Sequence, residues 1–137
     1  MQIAIETTVN ATLSQAWNAW VTPDDIIQWN FASADWACPK AEIDLRVGGR
    51  FSYRMEAKDG SMGFDFEGEF VAIEPNKSIR YKLEDSRQVL IEFIEVEAGV
   101  KIMETFDAEN ENTIELQRTG WLAILNNFKR HVENSHR

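Results

Sequence analysis

The sequence predicts an α+β fold, an antiparallel sheet laid against one long C-terminal helix. From Asn112 onward there is no proline, and Trp121, Ile124, Leu125, Phe128 and Val132 occupy the i, i+3, i+4, i+7 and i+11 positions of a single helical face. From about Lys40 to Thr105 the apolar period is two, broken by turn residues at short intervals. Turns that short cannot make parallel crossovers, so neighbouring strands must run antiparallel. A lone long helix on a curved sheet often encloses a cavity, which points to something held inside.

Gln2 to Asn10 alternates, with Ile3, Ile5, Thr7 and Val9 on one side, and reads as a half-buried strand. Thr12 and Gln15 form a capping-box pair ahead of a helical stripe of Leu13, Ala16, Trp17 and Trp20. A second helix starts at Thr22, with Pro23 at its first position, Asp24 and Asp25 in its first turn, and Ile26, Ile27 and Trp29 as its buried side. The acidic first turn and the lack of basic residues count against a DNA-reading helix pair. Asn30 to Pro39 has no clean period and reads as a loop, followed by a strand from Ala41 to Val47 that ends at Gly48-Gly49.

Phe51, Tyr53 and Met55 alternate with Ser52, Arg54 and Glu56, and Asp59-Gly60 signals a hairpin. Phe64, Phe66 and Phe70 alternate with Asp65, Glu67 and Glu69, whose carboxylates should face solvent; Gly68 falls on the aromatic side, where another group must approach closely. Glu74 to Lys77 is a turn, and strands follow at Ile79–Leu83, Val89–Val96 and Val100–Thr105. Asn112 offers the N-cap of the last helix, with Glu115 completing a capping-box-like start, and Gly120 should let that helix approach the sheet.

The 137 residues suit a single domain, 1–137, able to bury roughly two-thirds of the unfolded chain's surface. No apolar run approaches the ~20 residues of a membrane span, and the first residues lack the pattern of a secretory signal. Cys38 is the single cysteine, so no internal disulfide can form and a reducing cytoplasm is the default location. A net charge of -9 argues against nucleic acid or anionic lipid as a principal partner.

The Trp17, Thr22-Pro23, Ile26 and Trp29 cluster, the run Asp44-Leu45-Arg46-Val47-Gly48-Gly49-Arg50-Phe51, and Glu74-Pro75-Asn76 with Ile79 and Tyr81 form a recognisable set. With the terminal Gln117, Gly120-Trp121, Ile124-Leu125 and Asn127-Phe128, they resemble the homologues of the heat-shock chaperone ATPase activator, within the SRPBCC superfamily. That superfamily also holds START lipid-binding domains, polyketide cyclases and the birch pollen allergen. The resemblance covers essentially the whole chain. It implies a helix-grip: a seven-stranded antiparallel sheet wrapped around the long C-terminal helix, with two short helices closing one end. The matching motifs are glycines of turns and aromatics of the grip, and none is a catalytic signature.

No nucleophile elbow, phosphate loop or dinucleotide glycine pattern is present. His131 and His136 lie off the apolar helix face without a second ligand at metal-binding spacing, so both read as solvated and neither metal nor cofactor is expected. Cys38 reads as a small hydrophobe. Asp35 sits beside Trp36 in the irregular loop, at the expected cavity mouth, where an aromatic wall could raise its pKa for acid–base work. Trp29, Trp36, Phe51, Tyr53, Phe64, Phe66 and Trp121 should converge between sheet and helix, and two readings stand open: they fill the core, or they line an apolar pocket with Tyr53, Asp35 and Gln117 as its polar handles.

The expected function is therefore a non-enzymatic binder or carrier of a small hydrophobic, aromatic or lipid-like molecule. The alternatives are a cyclase- or aromatase-type enzyme in the same cavity and a co-chaperone-like protein-interaction module. The last would need a second domain or a basic docking stretch to engage a large partner.

Overall fold

In a computed structural model, which describes residues 1–135, strand β1 (Gln2–Val9) is followed by helices α1 (Leu13–Val21) and α2 (Pro23–Trp29). Six strands come next: β2 (Trp36–Ile43), β3 (Arg50–Ala57), β4 (Gly63–Glu74), β5 (Ser78–Leu83), β6 (Gln88–Val96) and β7 (Gly99–Asp107). Helix α3 (Ile114–Ser135) closes the chain. All seven strands pair antiparallel in one curled sheet, in the order β1-β7-β6-β5-β4-β3-β2, and the sheet grips α3. This is the α+β helix-grip that the sequence predicts.

Period-two alternation sets the concave face. Ile3, Ile5 and Val9 of β1 continue across Val100, Ile102 and Phe106 of β7, Val89, Ile91 and Phe93 of β6, and Ile79, Tyr81 and Leu83 of β5. Against them α3 presses Leu125, Phe128 and Val132, all essentially without solvent contact. Each such side chain contributes about 1.5–3 kcal/mol by burial. The second half of α3 is thus anchored, while Trp121 and Ile124 in its first half are only partly buried.

Local chemistry fixes the helix ends. The Thr12 hydroxyl accepts from the Gln15 amide at 3.1 Å, and the Gln15 side chain accepts from the Thr12 amide at 2.9 Å, a complete capping box. At α3 the cap is Thr113, whose hydroxyl accepts from the Leu116 amide at 3.1 Å. Asn112 does not cap the helix: its amide donates to the Glu109 carboxylate at 2.7 Å.

The largest departure from the sequence reading is β2, which begins at Trp36, within the segment expected to be a loop, and stops at Ile43. Pro39 hid it. The pairing with β3 shifts register between Ala37 and Lys40, and β2 is an edge strand, so a proline without an N–H is tolerated there. Asp44 to Val47, expected to extend the strand, instead makes the turn into β3: the Arg46 amide donates to the Asp44 carbonyl at 2.9 Å, and Gly48 adopts φ 86°.

Gly68 behaves as its position predicts. A Cβ there would stand 2.7 Å from the Phe51 ring and 2.8 Å from the Lys82 carbonyl, so only glycine lets Phe51 lie across β4. Gly120 does not. A Cβ there would meet nothing within 4 Å, so this glycine borders empty space rather than a tight helix–sheet contact.

Candidate functional site

That space is a cavity of about 390 Å³ under the first half of α3. Trp20 and Trp29 close it at the helical end, Tyr53, Phe66, Phe70 and Tyr81 form the sheet wall, and Gly120, Trp121 and Ile124 form the roof. The exposed apolar side chains of the lining are Phe64, at 49%, and Leu116, at 59%, which places the mouth between the start of β4 and the first turn of α3.

Ring packing holds the walls. Trp20 and Trp29 pack together at 4.9 Å and both meet Phe128 edge-on, while the Trp29 indole N–H donates to the Ala19 carbonyl at 3.0 Å. The Asn127 side chain donates to the Trp29 carbonyl at 2.9 Å and so ties α3 to the end of α2. On the other side Trp121 lies flat on Phe106, centroids 3.9 Å apart, and meets Phe66 edge-on.

Into this apolar shell project a few polar groups. Glu104 of β7 is 6% exposed and lines the cavity with the hydroxyl-bearing rings of Tyr53 and Tyr81. Among the described residues no buried side-chain polar atom is both sealed from space and without a partner. The Glu104 carboxyl and both hydroxyls make no side-chain hydrogen bond, so their free atoms open onto the cavity. Burial pushes the Glu104 carboxyl up to about 8. Burial also raises Tyr53 and Tyr81, with the Cys38 thiolate adding to the first and the Glu104 charge to the second. Asn30, also buried at the wall, donates to the Met55 sulfur at 3.3 Å.

Of the side chains singled out in the sequence, Trp29, Tyr53, Phe64, Phe66, Gln117 and Trp121 line the cavity. Gln117 is not a free polar handle, however. Its amide oxygen accepts from the Glu109 amide at 2.9 Å, and its NH₂ donates to the carbonyls of Glu109 at 3.1 Å and Asn112 at 2.8 Å. It fastens the loop before α3. Phe51 stands behind the wall, packed on Tyr53, Phe66, Phe70 and Tyr81.

Trp36 and Asp35 lie elsewhere. Trp36 meets Phe64 edge-on at 6.1 Å, and Asp35 borders a separate surface hollow with Lys58, Asp59 and Met62. The expectation of Asp35 at the cavity mouth is thereby corrected: β2 starts one residue later and carries the Asp35–Trp36 corner out to the sheet edge, where the Asp35 carbonyl accepts from the Lys58 amide at 2.8 Å. Its carboxylate is exposed.

Glu104, Tyr81, Trp20 and Asn30 were missed. For Glu104 the signal was available, because it occupies the inward parity of β7 between Ile102 and Phe106. His131 is also not a solvated bystander: its Nε2 lies 2.9 Å from Asp25 Oδ1, with the ring largely covered, and the pair joins α3 to α2. His136 lies outside the described residues. Cys38 is buried, its thiol pushed up by burial while it donates to the Lys40 carbonyl at 3.6 Å. Among the described residues no three His, Cys, Asp or Glu side chains are grouped to hold a metal ion, and no helix is long and apolar enough to cross a membrane.

Comparison with known proteins places this architecture. The solution structure of an AHSA1-like protein from Aeromonas hydrophila is 43% identical, with a TM-score of 0.93 over 100% of this chain and 97% of that one. A protein from Cytophaga hutchinsonii is also 43% identical, with a TM-score of 0.84 over 99% and 96%. A Nitrosomonas europaea protein shares the fold at 15% identity and a TM-score of 0.84. No curated protein matches the chain. The family model described as Activator of Hsp90 ATPase homolog 1-like protein matches residues 10–133, nearly the whole length, and the chain belongs to that family.

Proposed function

We propose that this protein binds a small, mainly apolar or aromatic molecule in the cavity under α3, as a binder or carrier rather than as an enzyme. The observation that supports this most is the wall itself: aromatic and aliphatic side chains around about 390 Å³, interrupted by a few convergent polar groups with free hydrogen-bonding atoms. Small-molecule sites are built this way, with volumes of about 300–1,000 Å³. Gly120, where a Cβ would meet nothing within 4 Å, keeps the roof thin.

Three of the five tryptophans, Trp20, Trp29 and Trp121, line the space, so occupancy should register in intrinsic fluorescence. A titration with a neutral polarity-sensitive dye such as Nile red, then competition by a flavonoid and aromatic polyketide panel, should give saturable quenching. Gly120→Leu should abolish it in a folded protein. Quenching that survives Gly120→Leu unchanged, or no binding across a broad apolar library, would overturn the proposal.

A second reading, a cyclase- or aromatase-type enzyme, is favoured by Glu104, a buried acid with a pKa of about 8 that could exchange a proton near neutral pH. Turnover of a polyketide substrate that Glu104→Gln abolishes without unfolding would select it.

A further inference from the structure

Glu104 is the most anomalous group in the molecule. A carboxyl 6% exposed normally keeps a cation or several donors beside it, because burying an unpaired charge is costly. Here it has neither. Burial alone accounts for its raised pKa, with no positive neighbour lowering it. Among the described residues Arg87 is the one cationic side chain on the cavity wall, and its guanidinium donates to Asp85 at 2.7 Å. The other titratable groups facing the space are Tyr53 on β3, Tyr81 on β5 and Glu109 before α3, none of them basic. What Glu104 lacks is a positive charge beside it.

Resting on the cavity reading above, we propose that the ligand carries a basic nitrogen: an amine on an apolar or aromatic body, its ammonium group paired with the Glu104 carboxylate. The surroundings suit that chemistry. The Tyr81 hydroxyl lines the same cavity and feels the Glu104 charge, and it offers an acceptor for a second N–H of the ligand. Trp121, held flat by its stack on Phe106, and Tyr81 line the same cavity and supply the aromatic wall that ammonium groups favour. A carboxylate or phosphate ligand would instead meet Glu104 and Glu109 inside a chain of net charge -9, which repels anions and draws cations.

The test compares naphthylmethylamine with its neutral counterpart naphthylmethanol, by tryptophan fluorescence and calorimetry on the intact protein. The amine should bind at least ~10-fold more tightly near neutral pH. Below the Glu104 pKa of about 8, its binding should release a proton to buffer, so its affinity climbs with pH up to that point. The alcohol should show no such climb. In Glu104→Gln the ratio of the two affinities should fall to about one. The wild-type pH profile needs no variant and stands even if Glu104→Gln folds poorly. Alcohol binding with no amine preference, or a preference that persists in Glu104→Gln, overturns the amine assignment and leaves the cavity reading in place. Failure of both probes to bind overturns both.

Discussion

Glu104 stands directly across the β1–β7 ladder from Ile5, and on its other side it faces Ile91 of β6. Both isoleucines are buried, so the carboxyl is set into an aliphatic strip that neither hydrates nor pairs it. This arrangement sets its proton affinity and makes it measurable through stability.

Between its unfolded value of 4.5 and its folded value of about 8, Glu104 is protonated in the native state and ionised in the unfolded one. The native state therefore holds a proton that the unfolded state has lost, and stability must fall as pH rises through that window. At its steepest this is about 1.4 kcal/mol per pH unit. Urea midpoints from about pH 5 to pH 8 should show the fall in the wild type and lose most of it in Glu104→Gln. Equal slopes in the two proteins would refute the assignment.

Gly120→Leu should separate stability from binding. Replacing a mid-helix glycine gains up to about 1 kcal/mol of helix propensity, and the side chain enters space where a Cβ meets nothing. We expect an unchanged or higher urea midpoint with dye binding lost. A drop of several kcal/mol would mean that the roof is packed after all.

Two aromatic truncations on α3 should differ. Phe128 is fully buried against Trp20 and Trp29, and Phe128→Ala should cost about 3–5 kcal/mol. Trp121 has one face on Phe106 while its surroundings open to the cavity, so Trp121→Ala should cost less, about 1–3 kcal/mol. Denaturant curves of both variants decide the order, and equal losses would count against the cavity.

Gln117→Ala removes one acceptor and two donors that hold the loop at Glu109 and Asn112. The loop borders solvent, which can replace part of what is lost, so the expected cost is about 1–3 kcal/mol. Hydrogen exchange should accelerate at the Glu109 amide before it does anywhere in β7. Unchanged protection there would show the clamp to be idle.

The architecture was legible because it rests on periodicity: β3 to β7 and α3 declare themselves in alternation and in the Trp121–Val132 face. β2 was hidden because a proline argues locally against a strand, and only the edge position, which is tertiary information, makes it acceptable. The aromatic half of the cavity was legible for the same reason as the fold. The polar half was not. Gln117 stands out in the sequence as a polar residue at a helix face, yet its partners are backbone groups brought there by a loop. Glu104 is hard to read because acidic residues in strands usually face water, although its parity with Ile102 and Phe106 points inward. A glycine beside a tryptophan, as at Gly120, suggests close approach, whereas a void produces the same sequence signature.

The strand order carries a consequence for how the chain is made. Gln2 pairs with Asp107, and every residue of β1 finds its partner in the last strand. β1 is therefore made before the other six strands yet is among the last to be paired, and its Ile3, Ile5 and Val9 wait uncovered while those strands emerge. Such distant pairing slows folding, since the loop entropy must be overcome before any contact rewards it. During synthesis β1 is the stretch a holding chaperone would find, and release would follow the arrival of β7.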